Sequence, residues 1–132
     1  MFYIYAEKDT PMIVEPWGWH LLIDCSGGDK ELISSKENVY NFVKELVPAI
    51  DMVPYQEPVI ERFATHDPDK AGISFCQMIE TSHIAGHFCE NNGDFYIDVF
   101  SCKDFEDETV FQVVQKYFNP KKIRPHFVTR DA

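Results

Sequence analysis

At 132 residues, 45% of them hydrophobic and 14% aromatic, the chain can form one packed domain, and its composition excludes a disordered or low-complexity protein. A formal charge of −10, from 22 acidic against 12 basic residues, repels phosphate backbones and anionic membranes. Nucleic acid and membranes are therefore not expected partners, and a small cationic ligand is favoured, although an acidic surface also serves solubility alone.

The opening segment, MFYIYAEKDTPMIV, carries Glu7 and Asp9 where a secretory leader needs a basic start and an unbroken apolar run. No apolar run approaches the ~20 residues that span a bilayer, so a cytoplasmic location is expected. His20-Leu-Leu-Ile-Asp24, closed by Ser26-Gly27-Gly28, reads as a strand and turn. Ser34-x-x-Glu37 has capping-box spacing, and Val39, Phe42, Val43, Leu46, Val47 and Ile50 recur at helical period, which predicts a helix over 35–50 with Pro48 in its last turn. Strands follow over 57–64 and 72–80, separated by the turn-forming His66-Asp-Pro-Asp-Lys-Ala-Gly72. Residues 83–90 and 94–101 flank Asn91-Asn92-Gly93 as a hairpin. A second amphipathic helix over 107–118 and a last strand over 122–129 complete the order β-α-β-β-β-β-α-β.

That order predicts an α+β domain spanning 1–132, a two-layer sandwich with a mostly antiparallel sheet and two helices on one face. The other sheet face is then left for a second subunit or a substrate. The four cysteines, Cys25, Cys76, Cys89 and Cys102, form no C-x-x-C pair and are expected to remain thiols in a reducing compartment.

Residues 72–102, GISFCQMIETSHIAGHFCENNGDFYIDVFSC, concentrate Ser, His and Cys inside apolar strands, where polar groups are costly unless paired. Zinc could use Cys76, His83, His87 or Cys89, but His83 and His87 on one strand lie ~13 Å apart and cannot share an ion, so no metal is expected. Ser82, His87 and Asp98 offer hydrolase chemistry, but the G-x-S-x-G elbow is absent. Singly, each of these residues reads as a satisfied core or interface group, and Cys25, Cys76 and Cys89 read as packing.

Together they form a pattern. Gly72-Ile-Ser74, Thr81-Ser82-His83, His87, Asp98-Val-Phe-Ser-Cys102 and the earlier Gly18-Trp-His20-Leu-Leu-Ile-Asp24 resemble the short prokaryotic type of pyruvoyl-dependent S-adenosylmethionine decarboxylase. The resemblance implies a self-processing lyase of polyamine (spermidine) biosynthesis, cut between Thr81 and Ser82 into 1–81 and 82–132. Ser82 would become the pyruvoyl cofactor, which takes up the electrons released with carbon dioxide. By family position Ser74 and His87 would supply the base and the oxyanion donor for cleavage, and Cys102 would be the general acid that protonates the product. An apolar setting at the end of its strand would keep Cys102 a thiol. Asp98 is left open between site and structure. The family pairs protomers, so a homodimer or higher homo-oligomer is implied.

Three positions depart from the family pattern. Thr81 stands where the family has Glu, Cys89-Glu90-Asn91 where it has Trp-Pro-Glu, and His66-Asp67-Pro68 where it has an aromatic residue. The aromatics stack on adenine there, a contact worth ~1–3 kcal/mol per base. Phe63, Phe88 or Tyr96 could replace the stack, and Glu90 could reach the ribose. The alternatives are a pyruvoyl decarboxylase of ornithine or arginine and an unprocessed homologue that only binds.

Overall fold

The structure is a computed structural model that describes residues 15–132. The opening segment inspected for a leader lies outside the described residues. No helix among the described residues is long and apolar enough to cross a membrane.

Period-two burial sets the strands. In β1 (Gly18–Ser26) Leu21, Ile23 and Cys25 point into the core, and the residues between them are half-buried. A single helical turn, α1 (Lys30–Ile33), comes next, its N-terminus capped by the Asp29 carboxylate, which accepts from the Glu31 and Leu32 amides at 3.0 and 3.1 Å. Four residues are too short to show a helical period, which is why the pattern predicts two helices and the described residues hold three.

The longer α2 (Lys36–Ala49) is capped by Ser35, one residue after the expected Ser34. It buries Val39, Phe42, Val43, Leu46 and Val47, the stripe expected of a helix lying on a sheet. Strands β2 (Val59–Phe63), β3 (Gly72–Ile79), β4 (Ser82–Phe88) and β5 (Phe95–Ser101) follow, then α3 (Asp107–Phe118) and β6 (Lys122–Arg130). At the start of β3 only glycine fits: a Cβ on Gly72, whose φ is +158°, would collide with the Phe88 carbonyl oxygen.

The six strands form one sheet in the order β2-β3-β4-β5-β1-β6, every neighbouring pair antiparallel. The expected two-layer α+β architecture is therefore the one found. The core lies between the sheet and the helices, where Phe118 meets Phe42 and Phe88 at ring-centroid distances of 4.8 Å and Phe95 at 5.3 Å. Among the described residues the opposite sheet face carries no helix. It exposes Cys76, Met78 and Tyr96, and between them lie the half-buried Ser74, His83, His87, Asp98 and His20.

Candidate active site

Strand β4 decides which of the predicted residues meet. Ser82 opens it, directly after the two-residue turn Glu80-Thr81 that joins it to β3. Tight hairpins favour positive φ at the turn residues themselves. Here neither Glu80 nor the β-branched Thr81 adopts one, and Ser82 carries the unusual angle, with φ +147°. A residue with a Cβ held in so sparsely populated a region stores of the order of 1–3 kcal/mol of strain.

The carbonyl just before Ser82 is also gripped. The main-chain N–H of Cys102 donates to the Thr81 oxygen at 3.0 Å. The Thr81 hydroxyl lies 2.9 Å from that of Ser101, a fully buried residue whose Oγ accepts from the Lys103 amide at 2.9 Å. Thr81, which departs from the family's glutamate, thus anchors the turn to the end of β5. Attack of the Ser82 hydroxyl on the Thr81 carbonyl would close a five-membered ring, place the new oxyanion on an amide already aimed at it, and release backbone strain.

Ser74 and His87 pair across β3 and β4. Their Oγ and Nδ1 atoms are 2.7 Å apart, and His87 Nε2 lies 2.6 Å from the Lys70 carbonyl. A carbonyl only accepts, so Nε2 carries the proton and Nδ1 accepts from the Ser74 hydroxyl. The pair does not reach Ser82 of its own chain. Five residues of strand at about 3.3 Å each separate His87 from Ser82 by ~16 Å, so base and donor cannot act there in cis.

Cys102 lies exposed just past β5, outside the apolar setting expected for it. Burial acts instead on Cys25, whose thiol is pushed up to about 12 by desolvation and then by the Asp24 charge, and on Cys89, raised chiefly by the same cause. All four cysteines are unpaired.

The two expected substrate contacts are otherwise engaged. Phe88 is 0% exposed, on the helix side of β4 among Phe75, Phe95 and Phe118, because its even position shares the parity of buried Ile84. It is a core residue and cannot touch a ligand. Glu90 pairs with Arg62, whose Nε donates to it at 2.9 Å, and that hydrogen bond, with the guanidinium charge, holds its carboxyl below the usual glutamate value. Of the other candidate stacking residues, Tyr96 and Phe63 are 46% and 52% exposed, and Tyr96 sits across from His87 rather than Ser82.

Two groupings escaped the sequence reading. Beside the Ser82 end of the sheet is a groove of about 440 Å³ lined by Trp17, Phe100, Arg130, Asp131 and Ala132. Its Trp17 and Phe100 rings have centroids 6.0 Å apart, and the Arg130 guanidinium lies 5.0 Å over Phe100. The second grouping is His20, His83 and Asp98, whose ligand-type atoms all lie within 4.8 Å of one another. The only signal for it in the sequence was parity, since all three belong to the helix-free face of strands whose order is not visible.

A family profile described as S-adenosylmethionine decarboxylase matches residues 19–131. The S-adenosylmethionine decarboxylase proenzyme of Archaeoglobus fulgidus is 26% identical over 114 residues, covering 86% of this chain and 96% of that one. The proenzyme of the same name from Clostridium botulinum strain Hall is 28% identical over 106 residues, covering 80% and 76%. The crystal structure of the adenosylmethionine decarboxylase from Aquifex aeolicus superposes with a TM-score of 0.76 at 21% identity, over 90% of this chain and 94% of that one, which shows a shared fold.

Proposed function

The chain belongs to the S-adenosylmethionine decarboxylase family, and from that premise we propose that it is a self-processing pyruvoyl enzyme that decarboxylates S-adenosylmethionine for polyamine synthesis. The observation that carries this reading is the Thr81–Ser82 bond itself, a strained serine behind a carbonyl polarised by the Cys102 amide. These residues fit a pyruvoyl group made from Ser82. When present, that group supplies an electron sink for the electrons freed by loss of carbon dioxide.

The chain's own residues then have distinct tasks. The Cys102 amide stabilises the oxyanion on Thr81 during cleavage, and the Cys102 thiol delivers a proton to the product carbon. The groove with Trp17 and Phe100, at the same end of the sheet, offers an aromatic surface for an adenosyl group, and the net charge of −10 suits a sulfonium cation. Ser74 and His87 act on a Ser82 that belongs to a second copy. Their ~16 Å separation from their own Ser82 and the helix-free sheet face support a homodimer with composite sites.

Intact mass of the purified protein is the test. Two fragments, 1–81 and 82–132, with a ketone-reactive amino end on the second, are expected. A single uncut chain after prolonged incubation overturns the reading. Ser82→Ala is expected to remain whole.

A further inference from the structure

His20, His83 and Asp98 come from three neighbouring strands, and the proposed function gives none of them a task. Register sets His20, Phe100 and His83 in one row across β1, β5 and β4, and Asp98 stands two residues before Phe100 on the same helix-free face. Ser82, paired with Ile79 and Ser101, belongs to the helix side, so the cluster is independent of the reacting serine.

Asp98 Oδ2 lies 2.9 Å from His20 Nε2 and 3.4 Å from His83 Nε2, and the three atoms all lie within 4.8 Å of one another. Around a tetrahedral zinc ion with bonds of about 2.0–2.1 Å, ligand atoms stand about 3.3 Å apart. Two separations are thus already close to those around an ion. Closing the third asks only for a rotation of His83, whose side chain is 41% exposed. Phe100 lies between the two rings, at centroid distances of 5.0 and 5.6 Å, and gives the site an apolar floor. Two imidazole nitrogens and one carboxylate oxygen are a donor set for zinc and its neighbours, with a fourth position left for water, whereas magnesium and calcium favour oxygen alone. The zinc ligands weighed in the sequence shared one strand and stood too far apart; here each of three strands supplies one.

Arg130 opposes the ion. Its Nη1 is 2.8 Å from His20 Nδ1, and a guanidinium only donates, so His20 here carries its proton on Nε2, towards Asp98. A cation on Nε2 moves that proton to Nδ1, where it needs an acceptor and meets a donor instead. Arg130 is exposed on the edge strand β6, so it can turn aside, at a cost to the affinity. We propose that His20, His83 and Asp98 form a binding site for one divalent transition-metal cation of the zinc type, and that Arg130 weakens it by holding His20 in the competing tautomer.

The experiment titrates zinc into tag-free, metal-stripped full-length chain by calorimetry, with cobalt as the spectroscopic probe and magnesium as the control. One zinc per chain is expected, with the visible bands of tetrahedral cobalt and no heat from magnesium. His83→Ala and Asp98→Asn each weaken zinc binding at least tenfold, while His66→Ala, in the turn before β3, leaves it unchanged. Arg130→Gln removes the competing donor, offers His20 Nδ1 an amide oxygen, and tightens binding about tenfold. Melting curves check that each variant folds. Unchanged zinc binding in folded His83→Ala and Asp98→Asn chains overturns the assignment, as does an equal loss in His66→Ala, which would mark adventitious surface imidazoles. Magnesium binding as tight as zinc, or weaker zinc binding in Arg130→Gln, overturns it too. If the ligand variants do not fold, X-ray absorption of the wild-type zinc complex decides: a shell that contains sulfur, or lacks two imidazoles, overturns the site. An uncut wild-type chain that binds one zinc defeats the functional reading and leaves this one standing, and a cut chain that binds none does the reverse.

Discussion

The main-chain N–H of Cys102 donates to the carbonyl oxygen of Thr81 at 3.0 Å, so the residue whose side chain is assigned the product proton also holds, through its backbone, the carbonyl to be attacked. The two roles separate by mutation. Cys102→Ser retains the amide and is expected to cleave while losing most product formation. Cys102→Pro removes the donor and is expected to stop cleavage, as loss of one oxyanion donor costs about 10²–10³ in rate. Mass analysis of both variants checks this, and equal cleavage by the two would remove the amide from the mechanism.

If Ser74 and His87 serve the Ser82 of another copy, defects in the two groups should complement. Ser82→Ala and His87→Ala chains, each inactive alone, are expected to give cleaved chains and activity when co-expressed, at about a quarter of the wild-type sites by simple pairing statistics. Light scattering is expected to show at least a dimer. Mixed chains that stay inactive argue for a site within one protomer.

Substrate class is read most cleanly in unprocessable protein. S-adenosylmethionine at a hundredfold excess over its Kd is expected to stabilise Ser82→Ala by about 2.7 kcal/mol, a rise of roughly 10 °C in Tm, while ornithine and arginine leave it unchanged. Trp17→Ala should abolish that rise if the groove holds the adenosyl group. A shift with the basic amino acids alone reverses the choice.

Phe88 tests a correction to the sequence reading. As a core residue in contact with Phe75, Phe95 and Phe118, its replacement by Ala is expected to cost ~3–5 kcal/mol of stability. Denaturant unfolding measures it. A stable Phe88→Ala protein with weakened substrate binding would restore Phe88 to the site.

The Arg62–Glu90 pair gives a pH signature. Glu90 is depressed first by the Arg62 hydrogen bond and then by its charge, so its contribution is present above the ordinary glutamate range and is lost as pH falls through the lowered value. Glu90→Gln is therefore expected to lower Tm slightly at neutral pH, with the difference from wild type closing in acid. The pair is partly exposed and the effect should shrink with salt. A difference that grows as pH falls would contradict the pairing.

Local pattern was sufficient for every described element but the single turn α1. The α2 stripe, the α3 boundaries and the alternation in β1, β3 and β5 all follow from periods of 3.6 and 2, which any window of residues displays. The run of Ser74, Ser82, His87 and Cys102 was legible as well, because its spacing lies along the chain. It could not tell which of these residues share a site. A strand rises about 3.3 Å per residue, so close spacing in sequence became ~16 Å between Ser82 and His87, and a parity of one put Phe88 in the core. Conversely, His20 and Asp98, separated by 78 positions, touch because β1 inserts beside β5. Strand order and register are chosen by the joint burial of one sheet face under α2 and α3, a cooperative property of the whole chain. That choice brought His20, Asp98 and His83 together on the helix-free face.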